Sequence, residues 1–172
     1  MNVFVIGNIV ALIAASFSII MGISKSREKM IYIQTIQYFT YSISNFILGG
    51  ISGAIASIIG AVRNILCYKE KLTKIAIWLI IIISTILTLS FNNLGFIGLL
   101  PLFNTIIYTV FINEKNPLKF KTLYLITVIL WLIYDFTIKS YTSVVFDIIS
   151  ITSSLIVIYQ LHKKNKEEQQ QN

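Results

Sequence analysis

Long apolar runs, separated by short polar stretches, recur along the whole chain and predict helices that cross a membrane. A crossing helix needs about 20 apolar residues, with a range of roughly 17–25. Seven runs lie in or close to this range, and we number them spans 1 to 7: residues 2–22, 30–48, 51–68, 75–91, 95–112, 122–137 and 141–161. The runs are too continuous for the alternation of a β-barrel. The predicted fold class is therefore all-α, a polytopic membrane protein with seven transmembrane helices.

Basic residues fall in every second loop, and this alternation predicts the orientation of the chain. Twelve of the 14 Lys and Arg residues follow spans 1, 3, 5 and 7: Lys25, Arg27, Lys29, Lys69, Lys71, Lys74, Lys115, Lys119, Lys121, Lys163, Lys164 and Lys166. The opposite loops contain a single lysine, Lys139. Since positive loops stay on the cytoplasmic side, we expect the N-terminus outside and the C-terminus, with a polar tail at 163–172, in the cytoplasm.

Composition and charge agree with a membrane protein and narrow its chemistry. Charged residues make up 12% of the chain, about half the share in a typical soluble domain. The net charge of +7 follows from the loop pattern, so the expected partner is the lipid bilayer and not nucleic acid. Cys67 stands alone, and the single histidine, His162, lies in the polar tail. Metalloprotease, hydrolase and P-loop motifs are absent, so we expect no enzyme activity, no cofactor and no metal site.

An ungapped shift of 90 residues places spans 1, 2 and 3 on spans 5, 6 and 7. The shift brings Lys25 onto Lys115 and Asn45 onto Asp135. Because the offset is four spans, both halves would enter the membrane in the same direction, as parallel repeats do. The expected organisation is repeat A (2–68), a linker helix (75–91) and repeat B (95–162). This 3+1+3 plan resembles that of SWEET and PQ-loop transporters.

Polar residues share one helical face in span 2 and recur at the equivalent positions of span 6. Such side chains either join helices, at about 0.6 kcal/mol per contact, or line a water-filled cavity. For the set as a whole we favour a cavity, because the same positions are polar in both halves. The candidate lining residues are Gln34, Gln37, Tyr41, Asn45, Ser57, Arg63, Asn64, Trp131, Asp135, Asp147, Ser150 and Ser154.

Three of these residues are ionisable, and a charge at the bilayer centre costs about 2.5–3.5 kcal/mol. Asp135 and Asp147 lie near the outer ends of their spans and, with Asn45, are expected to form a polar vestibule. The alternative is an interfacial ion pair between Asp135 and Lys139. Arg63 either extends to the cytoplasmic boundary of the membrane or binds an anionic or polar solute.

Three stretches carry a family resemblance: "NFILGGISGAIASIIGAVRNIL" at 45–66, "LLPLFNTIIYTVFI" at 99–112 and "LWLIYDF" at 130–136. Together with the acid at Asp147, they resemble the YgjV-type bacterial inner-membrane proteins. The chain has Tyr134 and Asp135 where that family commonly has a His-Asn pair, and Asp147 where Glu is common. The resemblance implies the fold and an inner-membrane location, and it implies no activity.

The expected function is transport or facilitated passage of a small polar solute between the two three-helix repeats. The alternative is a non-transporting membrane interaction protein, such as an immunity or assembly factor. A homo-oligomer is compatible with the sequence.

Overall fold

The computed structural model describes the backbone of residues 2–171 and the side chains of residues 2–167. Its regular elements are all helical, which confirms the all-α part of the prediction. They are α1 (Val3–Ile23), α2 (Arg27–Ile47), α3 (Ile51–Tyr68), α4 (Lys74–Phe91), a 3₁₀ turn (Ile97–Leu99) that leads into α5 (Leu100–Phe111), α6 (Pro117–Thr137) and α7 (Tyr141–Gln171). α7 continues through the predicted polar tail, 163–172, as far as Gln171, and Asn172 and the side chains of 168–171 lie outside the described residues.

Side-chain caps fix where several helices begin. The Asn2 carboxamide oxygen accepts from the Phe4 N–H, and the Thr73 hydroxyl oxygen accepts from the Ala76 N–H. Ser26 and Asn116 cap α2 and α6 in the same way. These bonds satisfy backbone donors that the first turn of a helix leaves free. The caps start α2 and α6 inside the basic stretches, several residues before the apolar runs begin.

Two tight reversals turn the chain after α2 and after α6. Gly49 and Lys139 have positive φ angles of 80° and 58°. The Gly50 N–H donates to the Asn45 carbonyl at 2.8 Å, and the Ser140 N–H donates to the Asp135 carbonyl at 2.9 Å. This bond, closed around a left-handed residue, is the Schellman ending of a helix. It sends α3 back along α2 and α7 back along α6 within three residues.

In the described part of the chain, α1, α2, α3, α5, α6 and α7 form a closed ring, and α4 lies outside it. α1 packs against α2 and α7, α3 packs against α2 and α5, and α6 packs against α5 and α7. α4 packs on the outside against α3 and α5. The outward faces carry large apolar side chains, such as those of Ile75, Trp78 and Phe136, with exposed fractions above 60%. Such a surface is suited to lipid, and it leaves the polar faces of the helices inside the ring.

Among the residues that the structure describes, five helices are long and apolar enough to cross a membrane: α1, α3, α4, α6 and the part of α7 up to Glu167. α2 has the required length but is more polar, and the apolar stretch Ile97–Phe111 is shorter. The structure thus establishes an all-helical protein with several apolar helices of crossing length. The crossing of α2 and α5 stays a prediction.

Candidate functional site

A small cavity lies at the centre of the ring. It has a volume of about 30 Å³, and α1, α2, α6 and α7 form its walls. One or two water molecules fill such a volume, because a single water needs roughly 10–15 Å³ on this measure. The lining residues are Ser18, Met21, Gln34, Gln37, Tyr38, Tyr41, Tyr124, Thr127, Val128, Trp131, Asp135 and Asp147. The ring is therefore nearly closed around its centre in this conformation.

Half of the residues predicted from sequence lie on the walls of this cavity: Gln34, Gln37, Tyr41, Trp131, Asp135 and Asp147. The other six are also buried but do not line it: Asn45, Ser57, Arg63, Asn64, Ser150 and Ser154. The candidate list from sequence lacks the other six lining residues: Ser18, Met21, Tyr38, Tyr124, Thr127 and Val128. Tyr38 lies one turn from Gln34 on the same helical face, so a search that included aromatic residues would have found it.

Aromatic rings and an amide form much of the cavity wall. The Tyr41 and Trp131 rings stack with centroids 6.4 Å apart and planes 7° from parallel. Trp131 also meets the Tyr134 ring edge to face, with centroids 5.7 Å apart. The Gln37 amide donates to the Ser18 hydroxyl, which joins α2 to α1. These contacts hold the rings of α2 and α6 against each other across the centre of the bundle.

The side chains of Asp135 and Asp147 both line this cavity. Both side chains are buried, with exposed fractions of 1% and 4%. The Lys139 side chain is exposed, and no ion pair joins it to Asp135 in the described part of the chain. The predicted interfacial pair is wrong, because the left-handed Lys139 lies in the turn itself. Two carboxylates that share one small cavity repel each other when both are ionised.

Arg63 lies wholly inside the bundle, with an exposed fraction of 0%. Its Nε and Nη2 donate to the Asn64 carboxamide oxygen at 3.1 and 2.9 Å. The guanidinium carbon lies 4.5 Å from the centroid of the Tyr108 ring, within the range of a cation–π contact. Asn64 in turn donates to Gln34 at 3.0 Å, which links Arg63 to the cavity wall. The side chain therefore does not extend to the cytoplasmic boundary.

Two further cations tie the ends of helices across the ring. Lys121 Nζ donates to the carbonyls of Met21 and Gly22, both at 2.6 Å, at the end of α1. Arg27 Nε donates to the Ile112 carbonyl at 2.8 Å, at the end of α5. Carbonyls at a helix C-terminus lack intrahelical donors and attract positive charge.

Lys121 corrects one assignment made from sequence, which placed it in a cytoplasmic loop. The residue belongs to α6, and its side chain is 1% exposed. The missed signal was the pair Asn116 and Pro117, an N-cap followed by proline at the first helical position.

Replacing Lys121 tests this tie. Lys121→Met keeps the length of the side chain but removes the three donors, and hydrogen bonds from charged groups contribute about 1.5–3 kcal/mol each. We expect a clear loss of thermal stability in detergent, measured by the unfolding midpoint, and substantial recovery in Lys121→Arg. The control is Lys119→Met, at an exposed position of the same helix. Equal midpoints for the Lys121→Met and Lys119→Met variants would contradict the structural role.

Comparison with known proteins places the chain in a family. No curated protein and no solved structure matches it. A family model, described as bacterial inner membrane protein and named Imp-YgjV, matches residues 5–165, which is most of the chain. This match confirms the resemblance seen in the sequence and supports the inner-membrane location. The chain belongs to the Imp-YgjV family of bacterial inner membrane proteins.

Proposed function

We propose that the protein has seven spans and passes a small polar solute through the interface between its two three-helix halves. The central cavity carries this proposal, because eight of its twelve lining residues come from equivalent positions of α2 and α6.

Equal spacing of the helices supports two repeats. α2 and α6 each have 21 residues and begin 90 residues apart, at Arg27 and Pro117. α3 and α7 also begin 90 residues apart. The left-handed residues that end α2 and α6, Gly49 and Lys139, keep the same offset. The helix contacts of the ring also repeat: each pair of helices in contact has a counterpart when α1 is replaced by α5, α2 by α6 and α3 by α7, and the reverse.

The cavity lies where the axis relating two such repeats would pass. Four positions of α2 line it, and so do the four positions 90 residues later: Gln34 with Tyr124, Gln37 with Thr127, Tyr38 with Val128, and Tyr41 with Trp131. Tyr41 and Trp131 stack directly on each other. Equivalent residues meet in this way only close to a symmetry axis. Transporters built from repeats bind their solutes at such an interface.

Polar groups without partners favour a hydrated path over simple helix adhesion. Both polar atoms of the Asn45 amide are buried and have no hydrogen-bond partner in the described residues. The hydroxyls of Ser57 and Ser154 are in the same situation. Each such group costs about 1–3 kcal/mol, whereas residues that join helices would be bonded to each other. Water or a polar solute inside the ring would supply the missing partners.

The short loops on either side of α2 support a chain that crosses the membrane seven times. α2 extends about 31 Å, at 1.5 Å per residue over its 21 residues. Three residues join it to α1 and three join it to α3, and it packs along both. A helix so placed between two apolar neighbours reaches the opposite side of the bilayer. With the basic loops inside, this puts the N-terminus outside and the C-terminus in the cytoplasm.

Cysteine labelling tests this orientation. In a Cys67→Ala background, Asn93→Cys lies in the loop after α4 and Lys71→Cys lies in the loop before it, and both side chains are exposed. We expect a membrane-impermeant maleimide to label position 93 in spheroplasts, and position 71 only after the membrane is opened. The reverse pattern would contradict the orientation.

A flux measurement tests transport. Proteoliposomes are screened with labelled sugars, nucleosides, amino acids and vitamins, and the solute that moves is then measured with two matched variants. Thr127→Trp fills the cavity and should reduce the flux at least tenfold. Thr122→Trp, at an exposed position of the same helix, should leave it unchanged. Absence of flux for every class would contradict the proposal.

One observation favours the alternative, a non-transporting membrane interaction protein. The cavity of about 30 Å³ is smaller than any of these solutes, so the conformation described cannot hold one. A protein that only binds a partner helix has no need to open. In that case the Thr127→Trp variant would bind its partner normally. The cavity of the unsubstituted protein would stay inaccessible to water-soluble reagents.

A further inference from the structure

The central cavity is acidic and aromatic, and no basic side chain lines it. Its two ionisable carboxyl groups belong to Asp135 and Asp147. Its aromatic rings belong to Tyr38, Tyr41, Tyr124 and Trp131. This combination differs from a site for an anion, which needs donors or positive charge. It also differs from a site for a neutral sugar, which does not need two buried carboxyl groups.

Several oxygen atoms at this cavity have no partner in the described residues. They are Asp135 Oδ1, Asp147 Oδ2 and the hydroxyls of Tyr41 and Tyr124, and the Tyr124 side chain is 2% exposed. Arg63 does not line the cavity, and its guanidinium is engaged with Asn64 and the Tyr108 ring. The cavity therefore presents two carboxyl groups and several free oxygen atoms, and no basic side chain of the described residues lies among its lining residues.

The aromatic faces indicate the class of cation. A cation within about 6 Å of a ring centroid is attracted to the face of the ring. The protein already uses this contact nearby, since Lys121 Nζ lies 5.0 Å from the centroid of the Tyr124 ring. A divalent metal would need several oxygen or nitrogen ligands. No group of three or more His, Cys, Asp and Glu side chains comes together in the residues described.

We propose that the cavity binds a small organic cation with an ammonium head group, next to Asp135 and Asp147 and against the rings of Tyr41, Tyr124 and Trp131. This inference rests on the proposed function, because the halves must separate to admit the rest of such a molecule. The cavity as described holds one or two water molecules, which is less space than a quaternary ammonium head group needs, so binding requires this separation. The carboxyl groups supply charge complementarity, and the rings favour an ammonium group over a hydrated inorganic ion.

Trp131 provides a direct reporter of binding. The chain has two tryptophans, and the other, Trp78, is 65% exposed on the outer face of α4. In a Trp78→Phe variant reconstituted in nanodiscs, the fluorescence of Trp131 is followed during titration with choline. The matched control ligand is 3,3-dimethylbutan-1-ol, which has the same shape and no charge. We expect saturable binding of choline, and at least tenfold weaker binding of the neutral alcohol.

Two variants locate the site. Asp147→Asn removes one charge and should weaken choline binding at least tenfold. Thr152→Val, at an exposed position of the same helix, should leave it unchanged. If Asp147→Asn does not fold, the comparison of charged and neutral ligands on the Trp78→Phe protein still decides the question. Equal binding of the two ligands, or stronger binding of acetate than of choline, would overturn the inference.

Separate measurements of choline binding and of solute flux distinguish the cation site from transport. Choline binding at Trp131 without flux of any solute in liposomes would support the cation site and contradict transport. Flux of a neutral or anionic solute without choline binding would support transport and overturn the cation site.

Discussion

The structure depends on one constraint: polar groups placed inside a membrane protein must find their partners within it. The apolar faces of the helices point outward, so the polar faces can only be satisfied by closing the ring. Several of these partners come from the opposite half of the chain. The Gly53 N–H donates to the Tyr134 hydroxyl at 2.8 Å, which joins α3 to α6. Lys121 reaches the end of α1, and Arg27 reaches the end of α5. These bonds close the ring and hold the halves together.

Basic and acidic side chains have different surroundings inside the ring. Arg27 and Lys121 bind carbonyl oxygens, and Arg63 binds an amide oxygen and lies over an aromatic ring. The acids, Asp135 and Asp147, have no cation beside them in the described residues, and they face the central cavity. The basic side chains thus have partners within the scaffold, and the two carboxyl groups belong to the proposed site. This division is the physical basis for assigning a cation to the cavity.

The sequence predicts the apolar part of each helix well and its polar ends poorly. The α3 boundaries, 51–68, agree with the prediction because turns flank the apolar run on both sides. α2 and α6 begin earlier than predicted, because hydropathy treats basic residues of the first turn as loop. The burial of Arg63 depends on the Tyr108 ring of α5, and no local pattern reveals a contact between residues so far apart. The cavity walls could be predicted in part, since the 90-residue shift finds the polar pairs but overlooks Tyr38 and Val128.

The central claim is that the cavity between the halves is an aqueous site that opens during function. The most direct test is the reactivity of a cysteine placed on its wall. Thr127→Cys in a Cys67→Ala background is treated in native membranes with a small water-soluble methanethiosulfonate. Thr88→Cys, buried on α4 away from the cavity, is the control. The account predicts modification at position 127 and little at position 88. Equal protection of both positions would show a permanently packed interior and would contradict it.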